Sequence, residues 1–350
     1  MYKVLRDRPM TGRLIVTVSL LAMTVGMTAF AVSGGASAAA RSTNHGKSGS
    51  ITIALIPGIT SDPFYITMEN GAYAEAKLLG VNLVVLGSST AFSPETQIPI
   101  VNAEFARKPS ALVIAPTDAV ALYAPMQRYY KAHIPVITVD TTLANTSFLT
   151  SRITSGNTNG GELAADTLAL LCHDKGEVLI MSTNAGSSTV DDRMTGFTAE
   201  MKKYPGMKQL ATEFDNDSPT QASTLTQSAI LANPTLCGIF GLNSASGAGV
   251  GAGIQAAGKK GSVFAVGYDA EPAEVASLKG GVLSGLIAQS PALEGALGVE
   301  YAYDAVTGQT SLIKKSVSLN NHSINSTNVN QKSTQVFFYS ATVHTDGVKA

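Results

Sequence analysis

The sequence predicts an α/β protein of two doubly wound parallel-sheet lobes. Three observations predict it. Short apolar, β-rich runs alternate with helical patterns from Ile51 to Thr307, the signature of βαβ units. The runs are apolar on both faces, as strands buried in a parallel sheet are. At 350 residues the chain also exceeds what one core comfortably fills, and it holds more strands than one compact sheet of this kind.

The elements follow in order. Ile51–Ile56 is a strand, Phe64–Leu79 a helix stopped by Gly80, Asn82–Leu86 a strand and Thr96–Ala106 a helix. Strand Ala111–Ile114, helix Ala119–Lys131 and strand Val136–Val139 follow. The rhythm resumes with helix Gly160–Cys172, strand Val178–Met181, helices Val190–Lys203 and Pro219–Leu231, strand Gly238–Leu242 and helix Ala245–Ala257. Strands Val263–Gly267 and Leu283–Ala288 bracket helix Pro272–Leu278, and helix Pro291–Thr307 closes the pattern. Beyond it the chain is polar and Asn/Ser-rich, with one apolar run, Gln335–Tyr339, before a loose end.

The N-terminus reads as a targeting segment. Lys3, Arg6, Arg8 and Arg13 precede an apolar stretch from Leu14 to Val32, and Ala36-Ser37-Ala38 follows. Basic, apolar, then A-x-A marks a secretory signal peptide cut after Ala38 or Ala40. A retained membrane anchor is the competing reading, since about 20 apolar residues suffice to span. Residues 41–50 are a flexible lead-in. No Cys lies there to carry a lipid. The remaining two, Cys172 and Cys237, are either free thiols or one disulfide of an exported protein.

The composition excludes some functions. A net charge of -1 with no Lys/Arg run after the first fifteen residues argues against nucleic acid. An apolar fraction of 45% against 14% charged is globular. There is no GxSxG, HExxH or Walker pattern, and neither cofactor nor metal is expected. Cys172-His173 sit at a helix end with no third group, and the glycines of Ser246–Gly253 lie inside a helix. Enzyme readings therefore rank low. A repressor would need a helix-turn-helix where the signal peptide lies.

Ligands of open α/β sheets sit at the carboxyl ends of the strands. Those ends carry Pro57 to Tyr65, Ala115 to Asp118, Asp140-Thr141, Asn243-Ser244, Tyr268-Asp269 and Gln289. Carboxylates and amides exchange hydrogen bonds with hydroxyls, and aromatic faces cover C–H faces. That mixture suits a carbohydrate. Several of these residues also fit plainer roles. Asp62 can cap the helix that Pro63 opens, Tyr65 can be core, Asp118 can cap the next helix, and Asn157 and Asn159 can shape a crossing between lobes. Asp192 reads as a solvated neighbour.

The ordered set SDPFY, IAPTD, IPVITVD, SGNTNGG, GF at 196–197, FGLNS, VGYDAEP and GLIAQSP resembles the ribose-binding-like group of periplasmic sugar-binding proteins, the substrate receptors of ABC importers. The resemblance covers roughly Ser50 to Asn320. It implies a type I periplasmic binding protein: residues 51–152 plus 290–318 as lobe 1, 153–289 plus 319–330 as lobe 2, 331–350 as a C-terminal tail, and a hinge crossed near Thr150–Ser155, Ala288–Gln289 and Val317–Asn320. It further implies that ligand closes the lobes. The expected form is a monomer whose partners are a carbohydrate or polyol and an ABC permease; a chemotaxis receptor would use the same fold.

Carried over position by position, the resemblance places Asp62, Phe64, Tyr65, Asp140, Asn243, Tyr268, Asp269 and Gln289 at the ligand, with Phe214 as the second-lobe aromatic. It also puts Cys172 and Cys237 in the same lobe, where they could meet away from the cleft. Two departures stand out: Thr141 and Asp191 occupy places where many members have Arg, and Arg193 matches a position more often structural. Asp191 also fits as a helix-end charge. Such a pocket, holding up to four carboxylates and no matched Arg, is expected to prefer a neutral polyol or compact sugar, then an amine-bearing solute, and to reject anionic sugars.

Overall fold

The computed structural model describes residues 51–183 and 187–345. The signal segment and the lead-in lie outside the described residues. Among those described, no helix is long and apolar enough to cross a membrane.

The first sheet is built from β1 (Thr52–Ile56), β2 (Asn82–Val85), β3 (Ala111–Ile114), β4 (Val136–Val139) and β5 (Ser151–Ser155). Helices α1 (Pro63–Leu79), α2 (Pro94–Arg107) and α3 (Tyr123–Lys131) connect its first four strands. The second sheet follows α4 (Asn157–Leu171). It takes β6 (Gly176–Ser182), β7 (Met207–Gln209), β8 (Glu213–Phe214), β9 (Leu236–Gly241), β10 (Phe264–Tyr268) and β11 (Gly285–Ala288), with helices α5 (Ser188–Met201), α6 (Pro219–Ala232), α7 (Ser244–Ala256) and α8 (Pro272–Lys279) between them. Helix α9 (Pro291–Val306) returns the chain to the first lobe. The last strands, β12 (Ser316–Leu319) and β13 (His322–Asn325), go one to each sheet, and a short α10 (Lys332–Gln335) follows.

Strand orders are β12-β5-β4-β3-β1-β2 and β13-β11-β10-β9-β6-β7. Both contain the 2-1-3-4-5 winding of a doubly wound sheet, which reverses between its first and third strands and opens a crevice at their carboxyl ends. All pairings are parallel except β11 with β13. Ile53 to Ile56 and Ala111 to Ile114 are wholly buried, as two-faced burial between helix layers requires.

Four expectations are corrected. Ser151–Ser155 is a strand of the first sheet, paired with β4 and β12, so that sheet runs three residues past the expected boundary at 152. Helix α3 begins at Tyr123 rather than Ala119, because Asp118 accepts from Val120 N (2.8 Å) and Ala121 N (2.6 Å) and holds a turn first. Met207–Gln209 and Glu213–Phe214 add two short strands. The chain directly after Tyr339 is not a loose end, since Ser340, Thr342 and His344 bond to Thr67 and Asn70 of α1.

Helices α4 and α5 cross at backbone contact. A Cβ on Gly161 would strike the Arg193 carbonyl, and one on Gly196 would strike the Thr158 carbonyl. Only glycine permits that approach, and it brings Asn157 beside Arg193.

Cys172 and Cys237 form a disulfide with Cα atoms 5.9 Å apart. It joins the end of α4 to the start of β9, at the amino ends of the strands and away from the cleft. The bridge spans 65 residues, and a loop of that size contributes about 3–5 kcal/mol in the chain-entropy view. Replacing both cysteines by serine should lower unfolding stability by about that amount and leave ligand affinity unchanged. Chemical denaturation beside calorimetry checks both parts, and an unchanged midpoint would contradict the assignment.

Candidate functional site

The carboxyl end of β1 leads through Pro57–Ser61 to Asp62, the N-cap of α1. Its Oδ1 accepts from Phe64 N at 2.7 Å, with Pro63 in the first helical position. Phe64 and Tyr65 are buried and meet edge to face, centroids 5.1 Å apart. The Tyr65 hydroxyl donates to Asp140 Oδ2 at 2.7 Å. Asp140 follows β4 with φ of 59°, a left-handed conformation costly for a residue with a side chain and concentrated at functional positions. Thr141 donates its hydroxyl to Pro116 O (2.8 Å). It lines a narrow crevice with Phe92, Thr117 and Asp118 of its own lobe and with Ser187 and Ser188 of the other.

In the second lobe, Asp269 follows β10 with φ of 94°. Its Oδ1 accepts from Gln289 Nε2 (2.7 Å) and from the Tyr339 hydroxyl (3.0 Å). Beside it lies Arg193, 3% exposed. This guanidinium donates from Nε to Asn157 Oδ1 and from Nη1 to Leu242 O, both at 2.8 Å, and lies over the Tyr268 ring 3.7 Å from its centroid. Burial alone would lower its pKa, but Tyr268, Asp269 and Asp140 outweigh that and raise it. Arg193, read from the sequence as matching a structural position, is thus a buried cation on which carboxylates of both lobes act.

The carboxyls around it sit high. Burial pushes Asp140 up to about 6, Asp269 pushes the same way, and the Tyr65 hydroxyl and Arg193 oppose them. Asp269 is raised by burial and held back by Arg193, Gln289 and Tyr339. Asp62 is pushed to about 7, by burial first and then by Asp269, Asp140 and Asp217, against the Phe64 amide. Glu271, at the N-terminus of α8, is pushed to about 8 by burial, Asp62 and Asp269. Asp62 of the other lobe is close enough to act on its charge. Glu294 of α9 accepts from Ser155 Oγ (2.7 Å), and burial, then Asp140, hold it well above the usual range.

Of the residues singled out from the sequence, the structure connects Asp62, Phe64, Tyr65, Asp140, Asp269 and Gln289 through the bonds above. Tyr268 is fully enclosed beneath Arg193, a supporting place rather than a facing one. Asn243 caps α7 through Ser246 N (2.9 Å) and donates to Asp217 Oδ1 (2.8 Å). Phe214 ends β8 opposite Ser182 and is 42% exposed. Asp191 is half-buried in the first turn of α5. Sequence reasoning missed Glu271, Glu294 and Tyr339. The dipeptide Glu271-Pro272 signals only a helix start, although its two-residue spacing from Asp269 was the available clue.

The Asp62–Glu271 pair makes stability depend on pH. Both carboxyls sit above their unfolded values, so the folded chain holds the proton more tightly. Their contribution is complete below about pH 4 and is lost as pH rises through 7 to 8. The melting temperature of the ligand-free chain should fall by several degrees between pH 5 and 8.5, and Glu271→Gln should flatten that fall by keeping a neutral partner for Asp62. Parallel dependences for parent and variant would contradict the coupling of the two carboxyls.

Comparison with known proteins agrees with this architecture. Residues 53–310 match the periplasmic binding protein domain family. The chain is 32% identical over 270 residues to the ribose import binding protein of Escherichia coli strain K12, covering 77% of this chain and 89% of that protein. Among solved structures it resembles an ABC transporter solute-binding protein from Agrobacterium vitis bound with α-D-tagatopyranose: 40% identity, TM-score 0.80, 83% of this chain and 100% of that one. A carbohydrate transporter solute-binding protein from Agrobacterium radiobacter in complex with D-arabinose aligns with TM-score 0.77 and 28% identity, over 83% and 99% of the two chains. With its family match spanning most of the sequence and its two doubly wound lobes, the chain belongs to the periplasmic binding protein family and has the type I fold.

Proposed function

We propose that this chain is an exported receptor that captures a neutral sugar or sugar alcohol between its lobes, performs no chemistry on it, and presents the closed form to an ABC permease. One observation carries the reading: Asp140 and Asp269 stand at strand carboxyl ends of opposite lobes, both in the field of the buried cation Arg193. Each is an acceptor for hydroxyl donors. Gln289 Oε1, buried and without a hydrogen-bond partner, is a third. A ligand that bonds both lobes binds best when they are closed, so it selects that form. Family membership supports export, as does the basic–apolar–A-x-A start of the sequence.

The excess of carboxyls favours neutral ligands over anionic ones, because like charges repel strongly in a desolvated cleft. Calorimetry against ribose, linear polyols, furanose-rich sugars, an amino sugar and a sugar phosphate tests this. A neutral sugar or polyol should bind and the phosphate should not. Tight phosphate binding would overturn the charge argument, and amino-sugar preference would favour a cationic solute instead. Asp140→Ala and Asp269→Ala should each weaken binding by about 2–4 kcal/mol, a hydrogen bond to a charged group plus the cost of a stranded partner. Parent-like affinity in both variants would sink the site.

A further inference from the structure

The C-terminal segment returns to the cleft and touches both lobes. Its base is held to the second lobe, where Phe337 stacks on His322 of β13 with centroids 3.4 Å apart. Tyr339 then donates its amide to Ala270 O (3.0 Å), and its hydroxyl accepts from Gln289 N (2.9 Å) while donating to Asp269 Oδ1 (3.0 Å). Its ring meets Phe64 of α1 edge-on at 5.7 Å. From there the chain runs onto the first lobe. Ser340 N donates to Thr67 Oγ1 (2.7 Å), Asn70 Nδ2 donates to Thr342 O (2.9 Å), and His344 N donates to Asn70 Oδ1 (2.6 Å). Thr67 and Asn70 both belong to α1.

We propose that Tyr339–His344 is a strap joining the two lobes beside the hinge, and that Tyr339 is a positioning residue that fixes Asp269 for a ligand hydroxyl. The positioning half rests on the sugar-binding reading above; the strap half does not.

The chemistry of the contacts supports both halves. Gln289 and Tyr339 donate to the same oxygen of Asp269. That fixes the carboxylate and leaves Oδ2 for a further donor, such as a sugar hydroxyl. The Tyr339 hydroxyl has both its donor and its acceptor capacity used inside the protein, which is how a buried phenol avoids the cost of lost hydration. Drawing the lobes apart moves α1 away from Ala270 and Asp269, so the strap must release one side. Its bonds therefore weigh the equilibrium toward the closed arrangement, and removing them lowers the competent fraction and with it the apparent affinity.

Tyr339→Phe keeps the ring against Phe64 but deletes the donor to Asp269 and the acceptor for Gln289 N. Sugar affinity should fall about tenfold, as for one hydrogen bond to a charged group. The hydroxyl favours the ionised form of Asp269, so its loss should move the acid limb of the affinity–pH profile to higher pH. A role in packing alone would lower the melting temperature and leave that limb in place; an unmoved limb overturns the positioning role. For the strap, small-angle scattering of the ligand-free protein should give a larger radius of gyration for Asn70→Ala, and for a chain ending at Val336, than for the parent. Equal radii overturn it. If no sugar binds the parent at any pH, the sugar reading falls and the positioning role with it, and the scattering result still decides the strap.

Discussion

The structure depends on the burial of one guanidinium. Arg193 has lost nearly all its water, and an ion so placed must find compensation worth several kcal/mol. The chain supplies it from four directions: the Asn157 amide oxygen, the Leu242 carbonyl, the face of Tyr268, and the carboxylates of Asp140 and Asp269. Each partner arrives by a different route. Asn157 opens α4, Leu242 follows β9, Tyr268 closes β10, and Asp140 comes from the other lobe. The glycine contact between α4 and α5 sets the distance at which the first of these can reach. One cation cannot balance every carboxyl in the region, which is why Asp62, Glu271, Glu274 and Glu294 are all held above their ordinary values by burial first.

Most strands and helices were legible because the buried runs, ITIALI and VITVD among them, are apolar without interruption and bounded by Gly, Pro or Asp. The strands that escaped notice are different. Ser316–Leu319 is the edge strand of the first sheet and Ser151–Ser155 the next one in; both alternate more buried with more exposed positions and are rich in Ser and Thr. Their pairing is settled by a partner some 160 residues away, which no local pattern encodes. The same holds for His322–Asn325, paired antiparallel with β11.

The site divides along similar lines. Asp140 and Asp269 were legible because a polar residue directly after a buried strand has few other places to go. Arg193 was not, because an arginine three residues into a polar stretch of helix normally lies on a solvated face, and only the neighbouring helix buries it. Tyr339 was unreadable as a site residue because its partners lie 50 and 70 residues earlier in the chain. The two positions that depart from the resembling family, Thr141 and Asp191, are placed at the crevice and at the start of α5. Arg193 lies near enough to the expected sites to change the charge account that those departures invited.

The two halves of the molecule use one plan twice: a 2-1-3-4-5 sheet, and a left-handed aspartate at the carboxyl end of a central strand, with one of the last two strands added to each sheet. On the proposed function, closing the cleft places the two aspartates against opposite sides of the ligand, with Arg193 favouring the charged form of each against the burial that raises both. The most direct test is a crystal structure of the protein with a bound neutral sugar or polyol. The account requires that hydroxyls of one ligand lie within hydrogen-bond distance of both Asp140 and Asp269. A ligand contacting only one lobe, or seated away from both carboxylates, would contradict it.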